Sequence, residues 1–252
     1  SPAFEVGDEA FFQSGMPPGD WLGCITRLGH RAFAMAEIIE PVHFRNLEEI
    51  GPEAFVSVRF HDGDFRIYPK LRKIAPDAFK GATLTGFIVD EGNPCFATST
   101  FPMLLNKSKT SLVLYASTNM LPYLEFFPKT LVRLEPGCIA SRKSQGHGMY
   151  HSMIIPNTVV EMEGAFSKCE TLGNLYCHVV VPPMVSDSTF NDKIFTNNPN
   201  IKLYVPKGCK ELYADAPGWR KFKYIVDNQE YVPAPDQDRE YYMVMHGSDE
   251  QG

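Results

Sequence analysis

Long apolar runs and catalytic signature motifs are both missing from this 252-residue sequence. No uninterrupted apolar run approaches the roughly 20 residues that a membrane-spanning helix needs. There is no phosphate-binding loop, dinucleotide fingerprint, Gly-x-Ser-x-Gly or His-Glu-x-x-His motif. The six cysteines include no Cys-x-x-Cys pair, which disfavours a structural zinc site. We therefore expect no membrane insertion, no catalytic residues, no cofactor and no metal.

Net charge is also scarce outside the C-terminal tail. The formal net charge is −6, and the segment 227–252 accounts for all of it, with seven acidic residues and one basic residue. Residues 1–226 are electrically balanced, so they give no electrostatic reason to bind a phosphate backbone, and we predict no nucleic-acid partner. The tail holds a strand-like island, 241–245, that either folds back on the body or pairs with a sheet edge. Pro233-Ala234-Pro235 before it has the composition of a linker.

Stretches long enough for amphipathic helices are rare as well. The 20 prolines and 19 glycines are scattered along the chain, which is typical of short elements separated by turns. The best helical stretch, Lys210 to Ala214, is about one turn long.

One short pattern recurs: an aliphatic residue, three mostly small or polar residues, then Ala-Phe. The clear copies are Val6–Phe11, Leu28–Phe33, Ile50–Phe55 and Ile74–Phe79, with a degenerate copy at Leu134–Ile139 and a shorter one at Met162–Phe166. In the clear copies the phenylalanines are 22, 22 and 24 residues apart. Four copies at nearly constant spacing make a chance match in an ordinary β-rich domain a poor explanation.

A second element lies between the copies, an extended run that ends in proline. The examples are Arg66–Pro69, Met153–Pro156, Val179–Pro182 and Leu203–Pro206. Proline ends such a strand because it cannot donate to the hydrogen-bond ladder. The 60-residue gap between Phe79 and Ile139 holds Phe87–Val89 and Leu112–Tyr115, interpreted as strands of two coils without the Ala-Phe loop.

A strand and a turn per period of 22–27 residues predict a leucine-rich-repeat solenoid. We expect a right-handed β/α superhelix, strand-rich with short 3-10 and helical turns. The predicted domain covers 1–226, with about nine coils at roughly 24 residues each and a C-terminal cap near 199–226. The acidic tail, 227–252, follows it.

The repeat resembles the BspA-type leucine-rich repeats of treponemes and Bacteroides-like bacteria. The segment Met162–Leu172 follows that family's pattern of aliphatic-Gly-x-x-Ala-Phe-x-x-Cys-x-x-Leu closely. The run Leu203–Gly208, with Tyr213, Trp219 and Phe222, is similar to the family's capping segment. The resemblance implies a secreted or cell-surface, outer-membrane-associated protein. No signal peptide is present in the sequence.

The cysteines and one histidine pair were the remaining candidates for chemistry. Cys169 follows Ala-Phe and Cys138 replaces the alanine of the motif, so we predict mostly free, buried thiols with room for one disulfide. His147 and His151 lie in the irregular loop 141–151, near Cys138 in sequence. Two histidines are too few for a convincing metal site, and a surface excursion explains the loop better.

Strand alternation predicts which residues face outward and could bind a partner. In the last coils the residues before each proline alternate, so we expect Met153, Ile155, Val179, Val181, Leu203 and Val205 to face the core. The candidate binding residues are Arg66, Tyr68, Ser152, Ile154, His178, Val180, Lys202 and Tyr204. An apolar row of Ile154, Val180 and Tyr204 suits either a partner surface or a face covered by the tail or a neighbouring molecule.

These features favour a non-enzymatic extracellular binding or adhesion module whose partner is a host or bacterial extracellular protein or glycan. Two alternatives remain open. The chain is a structural spacer that displays other domains, or an enzyme or inhibitor that uses the 141–151 loop.

Overall fold

The structure of the protein, a computed structural model, describes residues 3–15, 19–38, 42–60, 63–99, 103–116, 124–141 and 152–227. The strands of these segments are β1 (Phe4–Val6), β2 (Ile25–Leu28), β3 (Glu37–Ile38), β4 (Glu49–Ile50), β5 (Arg59–Phe60), β6 (Asp64–Ile67), β7 (Lys73–Ile74), β8 (Gly86–Val89), β9 (Phe96–Thr98), β10 (Met103–Asn106), β11 (Ser111–Tyr115), β12 (Arg133–Leu134), β13 (Met153–Ile155), β14 (Leu175–Cys177), β15 (Lys202–Tyr204) and β16 (Tyr224–Val226). The helices are α1 (Asp192–Asn197) and α2 (Lys210–Asp215), with 3-10 helices at Asp20–Cys24, Leu124–Phe126, Asp187–Thr189 and Trp219–Lys221.

The first residue of each of the four clear repeat copies lies in an N-terminal parallel sheet with the order β1-β2-β4-β7. Val6 pairs with Leu28, Leu28 with Ile50 and Ile50 with Ile74, so motif residues at equivalent positions are neighbours across the sheet. Two further parallel pairs, β3 with β5 and β6 with β8, join the same coils. Each repeat copy is therefore one coil, stacked in register on the next.

The phenylalanines of the motif form a ladder through the N-terminal core. The Phe11 and Phe33 ring centroids are 5.0 Å apart, those of Phe33 and Phe55 5.7 Å, and those of Phe55 and Phe79 5.1 Å, with interplanar angles of 6°, 7° and 12°. The backbone N–H of Phe33 donates to the carbonyl of Ala54 at 2.8 Å, and that of Phe55 to Ala78 at 2.7 Å. Backbone pairing thus fixes the spacing at which the rings stack.

The glycine after the aliphatic residue allows the coils to come close together. A Cβ placed on Gly51 would lie 2.6 Å from the carbonyl oxygen of Leu28, and one on Gly29 would lie 2.9 Å from the carbonyl carbon of Gly7. At Gly7, in the first coil, a Cβ would meet nothing within 4 Å. At Gly29 and Gly51 glycine therefore allows close packing between neighbouring coils, whereas the fourth copy has Ala75 at this position.

The middle of the chain departs from the predicted pattern. The two strands predicted there are present as β8 and β11, but β9, β10 and β11 also form an antiparallel meander that the interpretation as two coils did not include. The outer strands keep the repeat: β8 pairs in parallel with β6, and β11 pairs in parallel with β12. The meander is therefore inserted within the stack of coils.

Strand β10 lies between two hydrophobic cores. Leu104 belongs to the N-terminal core, which extends from Val6 to Ala116, whereas Met103 and Leu105 belong to the C-terminal core, which extends to Phe222. A strand buried on both faces is a continuous apolar run instead of an alternating one, which accounts for Met-Leu-Leu in β10.

Parallel pairing resumes in a C-terminal sheet with the order β13-β14-β15-β16. One predicted strand there is wrong: the strand that precedes Pro182 is Leu175–Cys177, and Val179–Val181 lie outside it. Residues Tyr213, Trp219 and Phe222 are buried in this part of the core. The Trp219 indole N–H donates to the carbonyl of Pro183 at 2.9 Å, which anchors the final turns.

Strand-rich coils with short helical turns, stacked in parallel at the period of the motif, are the architecture of a leucine-rich-repeat solenoid. The fold class predicted from the sequence is confirmed. The domain boundaries stay a prediction, and the tail segments 233–235 and 241–245 lie outside the described residues. No helix in the described part of the chain is both long and apolar enough to cross a bilayer.

Candidate binding surface

The outward side chains of the N-terminal sheet are engaged with one another. In register across β1, β2, β4 and β7 lie Glu5, Arg27, Glu49 and Lys73, which alternate in charge. Glu49 accepts a hydrogen bond from the Lys73 ammonium at 2.8 Å and lies 3.6 Å from the Arg27 guanidinium. The hydrogen bond from Lys73 lowers the pKa of Glu49. Because these charges already have partners, this charge ladder is a poor site for an external ligand.

The outward side of the C-terminal sheet differs in chemistry. Strand pairing places Tyr176 beside Tyr204, and Lys202 beside Tyr224. The Tyr176 and Tyr204 rings stack at 4.6 Å between centroids with an interplanar angle of 10°. Tyr224 is 48% exposed, and Lys202 is exposed. We call Tyr176, Lys202, Tyr204 and Tyr224 the tyrosine face.

Partial burial affects the ionisation of the tyrosine face. Desolvation raises the pKa of Tyr176, outweighing a hydrogen bond with Asn174 that acts in the opposite direction. The Tyr176 hydroxyl is therefore protonated at neutral pH and keeps a hydrogen to donate. Tyrosine combines an apolar ring with a polar hydroxyl, so a row of tyrosines can contact a partner by both means.

The eight binding residues predicted from the sequence do not form one continuous row. Arg66 and Tyr68 lie at β6, at the other end of the repeat stack from β13–β16. Lys202 and Tyr204 belong to the tyrosine face, Ser152 directly precedes β13, and His178 directly follows β14. Arg66 and Lys202 are exposed, whereas Tyr68, Ser152, His178 and Tyr204 are half-buried.

The solvent exposure expected for Ile154 is wrong. Its side chain is 0% exposed and belongs to the C-terminal core. Met153 and Ile155 are buried too, so β13 is covered on both faces. On such a strand, alternation does not identify a solvent-exposed residue. Ile154 pairs with Tyr176, so it lies beside the tyrosine face on the same side of the sheet.

Val180 is exposed, but for a different reason from the one expected. It is 60% exposed and lies in the loop after β14, and its neighbour Val181, expected to face the core, is 71% exposed. The true outward residue of β14 is Tyr176, which the sequence interpretation missed. Its position was available from the repeat, because Tyr176 lies 22 residues after Ile154, the spacing of the first Ala-Phe copies.

The cysteines are free thiols in this structure. Burial raises the pKa of Cys169 and that of Cys177 to about 11. Cys169 Sγ lies 3.1 Å from the Ser141 hydroxyl, and Cys177 Sγ lies 3.1 Å from the Tyr213 hydroxyl. Both thiols are therefore protonated at neutral pH, and they fill the core instead of acting as nucleophiles or metal ligands.

The histidine pair His147 and His151 lies outside the described residues, as does the rest of the 141–151 loop after Ser141. Across the parts of the chain that the structure does describe, no group of three or more His, Cys, Asp or Glu side chains is placed to hold a metal ion.

Fold and surface together define a leucine-rich-repeat solenoid with an aromatic outer face near its C-terminal end. No protein-family model and no curated protein sequence matches the chain. Among solved structures it is similar to a leucine-rich repeat protein from Eubacterium ventriosum ATCC 27560, with 14% identity, 88% of this chain and 69% of that chain covered, and a TM-score of 0.45.

Two further solved structures show a similar fold. A leucine rich cell surface protein from Faecalibacterium prausnitzii A2-165 has 12% identity over 90% of this chain and 77% of that chain, with a TM-score of 0.38. The pneumococcal vaccine antigen PcpA has 16% identity over 89% of this chain and 77% of that chain, with a TM-score of 0.33.

Proposed function

We propose that this chain is a non-enzymatic extracellular binding module of the BspA type that holds a host or bacterial protein or glycan on its repeat surface. The observation that carries the proposal is the contrast between two outward sheet faces. The charge ladder of the N-terminal sheet consists of side chains already paired with one another. The tyrosine face presents aromatic rings, hydroxyls and the exposed Lys202, whose ammonium forms no ion pair among the described residues.

Aromatic side chains are the residues that most often supply binding energy at protein surfaces, because each presents a large contact area at a small cost in conformational entropy. Tyr176 and Tyr204 are held by their mutual stacking and by strand pairing, so little further ordering is needed when a partner binds. The extracellular, cell-surface location belongs to the same proposal and is supported by the resemblance of the repeat motif to surface proteins.

The test is an array of extracellular-matrix proteins and glycans probed with the full chain. For any protein or uncharged glycan that binds, we expect the double variant Tyr204→Ala with Tyr224→Ala to weaken binding by about tenfold or more, since each ring is a candidate hot spot. The matched control is Arg27→Ala with Lys73→Ala on the charge ladder, which should leave affinity unchanged. Circular dichroism checks that all variants are folded.

Two outcomes would contradict the proposal. One is an array on which no component binds the full chain, which would favour the spacer interpretation. The other is a protein or uncharged glycan whose affinity is the same for the tyrosine variant and the wild-type chain, which would place the contact elsewhere on the molecule.

A further inference from the structure

A second surface, near the Pro69 corner of the stack, carries a cluster of cations around one tyrosine. The Tyr68 hydroxyl lies 2.8 Å from Nδ1 of His43, and the two rings meet edge to face with centroids 6.1 Å apart. The Arg45 guanidinium lies over the Tyr68 ring, 5.8 Å from its centroid. We call His43, Arg45, Arg66, Tyr68 and Lys70 the Tyr68 cluster.

Residues on neighbouring coils hold the members of this cluster in place. The Lys70 ammonium donates to Oδ1 of Asn46 at 2.7 Å, and the Asn93 side chain donates to the carbonyl of Tyr68 at 2.8 Å. Arg66 precedes Tyr68 by two residues, so both side chains point to the same side of their extended segment. Loops from two coils and one strand thus present their polar groups on one surface.

The cations of the Tyr68 cluster have no carboxylate partner among the described residues. Arg45, Arg66 and Lys70 are exposed and form no ion pair there, whereas Arg27, Arg31, Arg133 and Arg220 all do. Unpaired cations held close together repel one another, and an anion that bridges them removes that cost.

Among the residues that the structure describes, the carboxylates near the cluster along the chain accept hydrogen bonds from other groups or form no ion pair with it. Asp64, on the strand of Arg66, accepts a hydrogen bond from the Thr85 hydroxyl at 2.9 Å. Asp90, which follows β8, accepts one from the backbone N–H of Gly92 at 2.9 Å. The backbone N–H of Arg72 donates to the backbone carbonyl of Glu48 at 2.9 Å, and no ion pair joins the two side chains. No carboxylate of the described residues therefore neutralises the cluster, and its charge favours an external anion.

Its polarity distinguishes this surface from a protein-binding patch. Ile88 pairs with Arg66 across β6 and β8 and is 40% exposed, so it places one large apolar side chain beside the cluster. Protein interfaces have an apolar, well-packed centre with few charged residues. A surface with guanidinium groups, an ammonium, an imidazole and a phenol hydroxyl provides hydrogen-bond donors suited to oxygen anions.

We propose that the Tyr68 cluster binds an anionic polysaccharide, one whose sulfate or carboxylate groups are held by Arg45, Arg66 and Lys70 and whose hydroxyls contact Tyr68 and His43. The inference rests on the proposed binding role and names a ligand class for it. It concerns residues separate from the tyrosine face, so the two can fail independently.

The probe is dextran sulfate, with neutral dextran of the same length as the reference, measured on the immobilised full chain at 0.15 M ionic strength. We expect dextran sulfate to bind and dextran not to bind. The double variant Arg45→Ala with Arg66→Ala should weaken binding about tenfold or more, since each guanidinium that is removed takes charged hydrogen bonds to the anion with it. The conservative variant Arg45→Lys with Arg66→Lys should recover part of the affinity.

The matched control removes the same amount of charge elsewhere. Lys129 and Lys207 are exposed and form no ion pair among the described residues, so Lys129→Ala with Lys207→Ala should bind dextran sulfate as the wild type does. An equal loss in this control would overturn the proposal, because net charge alone would then explain binding.

Three other results also decide the question. Failure of dextran sulfate to bind, or equal binding of neutral dextran, would overturn the inference. Tighter binding of poly-glutamate than of dextran sulfate would assign the surface to an acidic polypeptide and overturn it too. Undiminished binding of dextran sulfate by Tyr204→Ala with Tyr224→Ala would support it, since the Tyr68 cluster would then act without the tyrosine face.

Discussion

The motif glycine is where a single atom decides whether neighbouring coils can pack. Gly51→Ala would place a Cβ 2.6 Å from the Leu28 carbonyl oxygen, closer than any van der Waals contact allows. We expect this variant to lose about 1–3 kcal/mol of unfolding free energy, because backbone must move to relieve the overlap. Urea denaturation followed by circular dichroism measures the loss.

Gly7→Ala is the matched control at the same motif position. Its Cβ would meet nothing within 4 Å, so the unfolding free energy should stay within about 0.5 kcal/mol of the wild type, as for an ordinary surface substitution. Equal losses in Gly7→Ala and Gly51→Ala would show that helix or turn propensity, and not contact between coils, explains the glycine.

Another residue-scale feature was only partly visible in the sequence. Two residues before the ladder position the backbone is left-handed in five copies, though not at Asp77 before Phe79: φ is 54° at Glu9, 55° at Arg31 and 51° at Glu53, and 73° and 69° at Gly137 and Gly164. Glycine shows this requirement openly in the later copies. In the first copies charged residues occupy these positions, so the sequence does not reveal the left-handed backbone. Arg31 lies 3.6 Å from Glu9 and 3.9 Å from Glu53, and these ion pairs between coils offset the backbone strain.

At the scale of the coil, the phenylalanine ladder should contribute most of the cohesion between neighbours. Phe55 stacks on both Phe33 and Phe79 and is fully buried. We expect Phe55→Ala to lower the unfolding free energy by about 3–5 kcal/mol, the usual cost of deleting a buried aromatic ring. Phe12, next to ladder residue Phe11 but exposed, is the control, and Phe12→Ala should cost less than about 1 kcal/mol. Similar costs for the two variants would contradict the ladder's role.

The coils with the Ala-Phe signature were predictable because their period fixes which residues stack. The tyrosine face was less so. The valines before Pro182 looked more strand-like than Leu175–Cys177, yet the backbone of β14 pairs in register with β13 and β15. The backbone pairing that neighbouring coils impose therefore determined the position of the strand more strongly than local β-propensity did. Ile154 failed for a related reason, since alternation cannot identify an outward residue on a strand buried on both sides.

At the scale of the whole molecule, the antiparallel meander joins two cores that the repeat pattern alone would merge into one. Leu104 and Leu105 are adjacent in β10, yet they pack into the N-terminal and C-terminal cores respectively. The sequence could not reveal this, because a pair of leucines is the same pattern whichever core each one enters.

This arrangement predicts cooperative unfolding. We expect Leu104→Ala and Leu105→Ala each to cost about 2–5 kcal/mol, and each to shift one single denaturation transition, because both cores share β10 and neighbouring repeats are energetically coupled. Leu104→Met, which conserves volume, should cost less than about 1.5 kcal/mol. A second, separate transition in either alanine variant would show that the two cores unfold independently.

An ion network joins coils that are far apart in sequence, and it should make stability depend on pH. The Glu170 carboxylate accepts hydrogen bonds from Lys80 at 2.9 Å and from Lys193 at 3.0 Å. Burial by itself would raise the pKa of Glu170, but the hydrogen bonds and charges of the two lysines outweigh it, and the pKa is lowered. Because the folded-state pKa lies below the unfolded one, the stabilisation is complete above the ordinary glutamate value and is lost as the pH falls through the folded-state pKa.

Glu170→Gln tests this network. At pH 7 we expect the variant to be less stable than the wild type by about 1–2 kcal/mol, since the amide keeps an acceptor oxygen but loses the charge. The difference should shrink as the pH falls from about 4.5, the ordinary glutamate value, through the lower folded-state pKa at which the wild-type carboxylate becomes protonated. The carboxyls of Glu49 and Glu163, whose pKa values are also lowered, are present in both proteins and cancel in the comparison.

Glu211, exposed on α2 and without an ion pair among the described residues, gives the control variant Glu211→Gln. A difference in unfolding free energy between Glu170→Gln and the wild type that stayed constant from pH 7 to pH 3 would contradict this prediction. The coils around Lys80 and Lys193 would then be joined by packing instead of charge.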